Sequence, residues 1–133
     1  MRPVFEPQEA IAAWAGRELG VNFHPPYYAI GVVNSHGEPV GAAVFNGMSD
    51  KNIEISMVGP GAFSRPIARV MAEFAFNANN VARVTVKTRS KNKRLVRLIQ
   101  KAGWRREGCL RRWYGDDDAI VFGMLRKECR FLK

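Results

Sequence analysis

The last third of the chain, NKRLVRLIQKAGWRREGCLRRWYGDDDAIVFGML over residues 92–125, sets a helix, a glycine stop, a strand, a tight turn and a second strand end to end. Leu95, Leu98, Ile99 and Ala102 recur at helical spacing behind Asn92, and Gly103 stands where a left-handed cap costs least. Trp104, Glu107, Gly108 and Arg111 follow as a strand. Asp116–Asp118, after Tyr114-Gly115 and before the apolar run AIVFGML, read as a hairpin turn rather than a cation site. A chain built this way closes its C-terminal half as an amphipathic helix laid on an antiparallel hairpin.

Upstream, Ile11, Trp14, Ala15 and Leu19 form an apolar stripe that starts near Pro7 and ends at Gly20, which predicts one short helix. YYAIGVV and PVGAAVF read as strands joined by the turn NSHGE, and NIEISMV as a third strand after GMSDK. A helix follows GPGAFSRP with Ile67, Val70, Met71, Phe74 and Ala75 on one face, and VARVTVKT is the next strand. Strand, helix, strand, helix implies a right-handed crossover and two parallel neighbours in an otherwise antiparallel sheet. The predicted class is α+β: a mixed, mostly antiparallel central sheet flanked by about three helices, in one domain over residues 1–133.

With the hairpin in place, the segment resembles the GNAT N-acetyltransferase superfamily, most closely the branch that acetylates the amino termini of ribosomal proteins. The shared pattern is Asn92, a helix, Gly103-Trp104, then Glu107-Gly108, Leu110, Arg111 and an Asp at 118 entering the last strand. The match is good over residues 81–128, loose over 27–80 and slight before that. It implies transfer of an acetyl group from acetyl-CoA to an amine, whether a protein amino terminus, a small-molecule amine or an aminoacyl-tRNA, by direct attack, with the cofactor wedged where the two parallel strands part. The family's pyrophosphate loop falls on Phe63, Ser64, Arg65, Pro66, Ile67 and Ala68, where only Ala68 fits its pattern and Pro66 removes a donor. Ser64 is placed to cap that helix and Arg65 to supply charge in place of lost hydrogen bonds.

The resemblance further implies a base or water-positioning carboxylate on the NIEISMV strand, where Glu54 is the candidate, and main-chain contacts to the thioester around Val58 and Gly59. A half-buried sheet can equally leave Glu54 in solvent. The family's donor to the departing thiolate falls on Ile99, or in the ribosomal branch on Leu95. Both are apolar, so either Tyr114, Ser90 or water substitutes or the thiolate leaves largely unassisted. Asn92 has two compatible roles, a contact to the pantetheine arm and an N-terminal cap.

Charge is uneven: residues 83–133 hold 16 basic and 5 acidic side chains, net +11, against net −2 for residues 1–82. Such a surface wants an anion. Lys93, Arg97 and Lys101 make a stripe on α-helical spacing, either solvated or gripping the 3′-phosphate of CoA or an RNA backbone. A catalytically inactive CoA- or protein-binding module and a basic nucleic-acid binder are therefore the alternatives to the enzyme. His24 and His36 lack partners at metal-ligand spacing and read as loop residues. No apolar run is long enough to cross a membrane, and two cysteines make no disulfide framework. A cytoplasmic location follows as the expectation, with the protein a monomer or homodimer.

Overall fold

The apolar stripes find their partners on the two faces of one seven-stranded sheet, which the computed structural model describes over residues 1–132. In chain order the elements are β1 (Arg2–Val4), α1 (Gln8–Leu19), β2 (Tyr28–Val33), β3 (Pro39–Asn46), β4 (Asn52–Val58), α2 (Arg65–Ala72), β5 (Arg83–Arg89), α3 (Lys93–Lys101), β6 (Arg105–Leu110) and β7 (Ala119–Leu125). The strand order is β1-β2-β3-β4-β5-β7-β6, antiparallel throughout except for β4 beside β5. The predicted meander, crossover and hairpin are all present. The short β1, paired antiparallel with β2, is an addition that three residues of sequence do not announce.

Alternation sorts the side chains. Ile53, Ile55 and Met57 of β4 and Val84 and Val86 of β5 face α2 and α3, where Phe45, Ile67, Phe76, Leu95, Ile99 and Phe122 complete the main core. Each large apolar side chain so buried stabilises the fold by about 1.5–3 kcal/mol. On the opposite face α1 packs Ile11, Ala12 and Ala15 on Ala29, Ala42 and Val44, lying over β2–β4. The β5–β7–β6 half of that face carries no helix. Its polar row Arg83, Thr85, Lys87 and Arg89 is half-exposed.

The second helix departs from the 3.6-residue pattern. After Ala72 it passes into a π-helical turn, Glu73–Ala78, whose extra residue per turn rotates Phe76 into the core. Phe74 is thereby only partly buried. It stacks on Tyr28, with ring centroids 4.4 Å apart, and leans on Phe45.

Two features position the cleft described below. First, the Gly59-Pro60-Gly61 turn lies hard against β3: a Cβ at Gly41 would stand 2.6 Å from the Ala62 nitrogen, and one at Gly59 2.6 Å from the Val40 carbonyl oxygen. Second, the segment after β7 crosses the ends of both neighbouring helices. Arg126 donates to the Phe76 carbonyl and to Asn77, and Arg130 donates to the Lys101 carbonyl. We expect Gly41→Ala, which collides with main chain rather than with a movable side chain, to lower stability by about 1–3 kcal/mol, read from urea unfolding midpoints.

Candidate active site

Parallel pairing of β4 with β5 runs from Asn52 opposite Arg83 to Ile55 opposite Val86 and stops there. β4 continues through Ser56, Met57 and Val58, still paired with β3 on its other side, while β5 continues through Lys87, Thr88 and Arg89 alongside β7. The edge of β4 that faces β5 has no strand partner over those residues, so its main-chain donors and acceptors are open to a ligand. The gap is lined by Ser56, Met57, Arg89, Asn92, Leu95 and Tyr114. It leads past Asn92 and Leu95 into a groove between Val58-Gly59-Pro60 and the Arg94 and Leu98 side of α3.

Asn92 caps α3, its Oδ1 accepting from the Leu95 N–H at 3.3 Å, and lines both parts of the gap. The cap foreseen for it is present, and its side chain stands at the gap. Leu95 and Ile99 are buried in the core, as their apolar character required, and neither carries a proton to give. Val58 and Gly59 line the groove.

Three expectations need correction. Ser64 does not cap α2: its hydroxyl donates instead to the Gly61 carbonyl at 3.1 Å, leaving the first turn with no side-chain cap. Ile67 and Ala68 point away from the groove, Ile67 into the core and Ala68 into an apolar cavity beneath α2; the Ala68 N–H is spent on the Ser64 carbonyl at 2.8 Å, which leaves, of these two, only the main-chain N–H of Ile67 for an anion. Arg97 lies opposite the buried Leu95 and Ile99 on α3, and it is Arg94 that lines the groove. Arg65 is exposed, its guanidinium 6.0 Å from the Phe131 ring centre.

Tyr114 reaches the gap from the β6–β7 turn. Burial raises the pKa of its phenol, the negative charges of Asp117 and Glu54 add to this, and Arg89 opposes them. The hydroxyl therefore keeps its proton well into the alkaline range. Arg89, which sequence reasoning passed over, fixes the arrangement. Its guanidinium lies 4.4 Å from the Tyr114 ring centre, bonds Asp116 at 2.9 Å and donates to the carbonyls of Leu19 and Gly20 at the end of α1. Nothing near it in the sequence marks it, since these partners are distant along the chain.

Glu54 projects from β4 on the same face as Ser56, with side-chain Oε1 2.5 Å from Lys87 Nζ. Lys87 in turn lies 4.4 Å from the ring centre of Trp113. Gly47 admits this carboxylate, since a Cβ there would stand 2.9 Å from Oε2.

The acidic turn behaves as a hairpin lock. Asp116 pairs with Arg89, Asp117 accepts from the Ser90 hydroxyl and the Lys91 and Asp118 N–H groups, and Asp118 accepts from the Arg112 N–H. Ser90 is thereby engaged away from the gap. Glu107, the extra residue of a bulge in β6, crosses to Arg83 over Gly123, where a Cβ would fall 2.5 Å from its carboxylate.

No family model matches the chain, and no curated protein matches it in sequence. Its backbone superposes on solved structures. Spermidine N-acetyltransferase SpeG F149A from Vibrio cholerae matches with a TM-score of 0.73 at 12% identity, covering 100% of this chain and 98% of that one. The chain has the GNAT N-acetyltransferase fold. A chimera of Vibrio cholerae SpeG and hSSAT matches with a TM-score of 0.65 at 14% identity over 80% of this chain and 70% of that one. A dodecameric spermidine N-acetyltransferase from Vibrio cholerae gives 0.65 at 14% over 78% and 67%.

The Ser90 hydroxyl is the largest cause holding Asp117 below the usual carboxylate range. A carboxylate depressed in the folded state contributes stability that is complete above its unfolded value and is lost as pH falls through the folded one. Ser90→Ala should therefore reduce that contribution and bring the acid loss to higher pH, read from urea midpoints between about pH 5 and 2.

Proposed function

We propose that the protein is an acetyl-CoA-dependent N-acetyltransferase acting on an amine acceptor. The observation that carries this is the parting of β4 from β5 into a gap holding Asn92 and a protonated Tyr114, within a fold shared with N-acetyltransferases. When bound, acetyl-CoA supplies a thioester: the amine nitrogen bonds to the carbonyl carbon, the carbon–sulfur bond breaks, and sulfur leaves with the electron pair.

The residues present suit such a guest. The unpartnered edge of β4 over Ser56–Val58 offers amide groups to the pantetheine arm and to the acetyl carbonyl. The α2 N-terminus, with no side-chain cap, offers the N–H groups of Arg65 and Ile67 and the positive end of the helix dipole to a pyrophosphate. Pro66 contributes no donor there, and Arg65 and Arg94 add charge in compensation.

Glu54 takes the proton that the acceptor ammonium must lose, through a water, because Lys87 already holds one carboxylate oxygen. Tyr114 Oη gives its proton to the departing sulfur. The motif shared with the ribosomal-protein branch is used here to shape the hairpin, Glu107 across Gly123 and Asp118 on Arg112. It therefore supports the fold more than it specifies the acceptor.

Calorimetry with acetyl-CoA, against desulfo-CoA and ATP, tests the cofactor site directly: micromolar, acetyl-CoA-preferring binding is expected, and none, or binding that ATP equals, would remove the enzyme reading. With an acceptor in hand, Glu54→Gln should lower kcat about 100-fold with the KM for acetyl-CoA little changed. Tyr114→Phe should lower kcat and leave the KM for acetyl-CoA similar, and unchanged turnover would send the thiolate proton to water.

A further inference from the structure

The acids of the C-terminal half are all engaged: Glu107 with Arg83, Asp116 with Arg89, Glu128 with Arg105, and Asp117 and Asp118 with hydroxyl and main-chain donors. Exposed Lys91, Arg94, Arg97, Arg106, Arg111 and Arg112 have no carboxylate partner among the described residues. Lys91 and Arg94 bracket Asn92 at the gap, and Arg94 alone of these lines the cofactor groove. Arg111 and Arg112, on the turn that carries Tyr114, share a surface depression with Lys91 and with Asp116, Asp117 and Asp118, whose carboxylates are already engaged.

Flanking Arg111 and Arg112 in sequence, Trp113 is 55% exposed and Leu110 37%. The Trp113 ring is held against Lys87, which fixes its orientation while leaving much of its surface in water. Cations interleaved with a rigid exposed indole match a charged backbone whose bases stack, and stacking of this kind accepts any base. An acidic peptide would satisfy the arginines and leave the indole without a planar partner. A polyamine such as spermidine, for which the Vibrio cholerae neighbours are named, would be repelled.

We propose that the Leu110–Tyr114 turn and the N-terminal end of α3 bind single-stranded nucleic acid, and that the acceptor amine is carried on that strand into the gap. The second half of this rests on the acetyl transfer proposed above; the first does not.

The test is fluorescence anisotropy of the intact protein with labelled RNA and DNA oligonucleotides of about ten nucleotides, without acetyl-CoA. Binding should weaken between about 50 and 200 mM salt, and Arg111→Ala with Arg112→Ala should flatten the log–log slope by about 1.4. Trp113→Ala should weaken binding about tenfold while Trp113→Tyr retains most of it, which separates stacking from misfolding. The RNA and DNA arms decide between the two sugars. Absence of binding at about 50 mM salt, or displacement by polyglutamate as readily as by an unlabelled oligonucleotide, would overturn the surface. For the acceptor, an oligonucleotide bearing a terminal alkylamine should be acetylated with a KM at least tenfold below that of the free alkylamine, and equal values would overturn the carrier role. The double arginine variant should bind acetyl-CoA as wild type does. Oligonucleotide binding without any acetyl-CoA binding would retire the enzyme and leave the surface standing.

Discussion

Only four residue pairs join β4 to β5, from Asn52–Arg83 to Ile55–Val86, and the rest of the site depends on that shortfall. Had the ladder continued, the main chain of Ser56–Val58 would be satisfied inside the sheet and the gap would not exist. The strands can part because each has another neighbour: β3 holds β4 and β7 holds β5 through the unpaired stretch. The polar edge this creates is the costly element of the fold. Gly41, Gly59 and Gly61 allow the following turn to pack onto β3, and Asn92 closes the far side by capping α3.

Charge is then distributed in two tiers. Beside the gap, opposite charges are matched at short range: Lys87 on Glu54, Arg89 on Asp116 and over Tyr114. The Lys87–Glu54 pair is half-buried, while Asp116 reaches Arg89 from solvent, and both contacts orient side chains. Outside it, on α3 and the β6–β7 turn, cations outnumber acids and lie in solvent, where their effect is a field rather than a bond. One chain thus holds a tightly matched centre within an unmatched rim.

The sheet and helices were legible because their evidence is periodic: β4 alternates Ile53, Ile55 and Met57 inward against Glu54 and Ser56, and α3 repeats Leu95 and Ile99. Asn92 was legible because a helix start is a local signal. Arg89 was not, since its partners are Gly20, Tyr114 and Asp116, up to 69 residues away. Ser64 misled for a different reason: its hydroxyl had a carbonyl acceptor in the preceding turn that competes with capping. Arg94 and Arg97 are three positions apart and chemically identical, so only the rotation of α3 on the sheet tells which one meets the groove. The π-helical turn after Ala72 likewise leaves no mark in the apolar pattern until Phe76 is seen in the core and Phe74 only partly buried.

The arginines of the segment after β7 give the molecule a mechanical property. α2 and α3 share no extensive direct interface; the segment after β7 packs on α2, with Cys129 buried and Phe131 and Leu132 against the main core. The same segment is tied to both helices, Arg126 donating to the Phe76 carbonyl in the π-helical turn after α2 and Arg130 to the Lys101 carbonyl that ends α3. Moving one helix relative to the other would break these hydrogen bonds and also uncover the apolar side chains that the segment buries. This segment thus acts as a strut, setting the distance between two helices that scarcely touch.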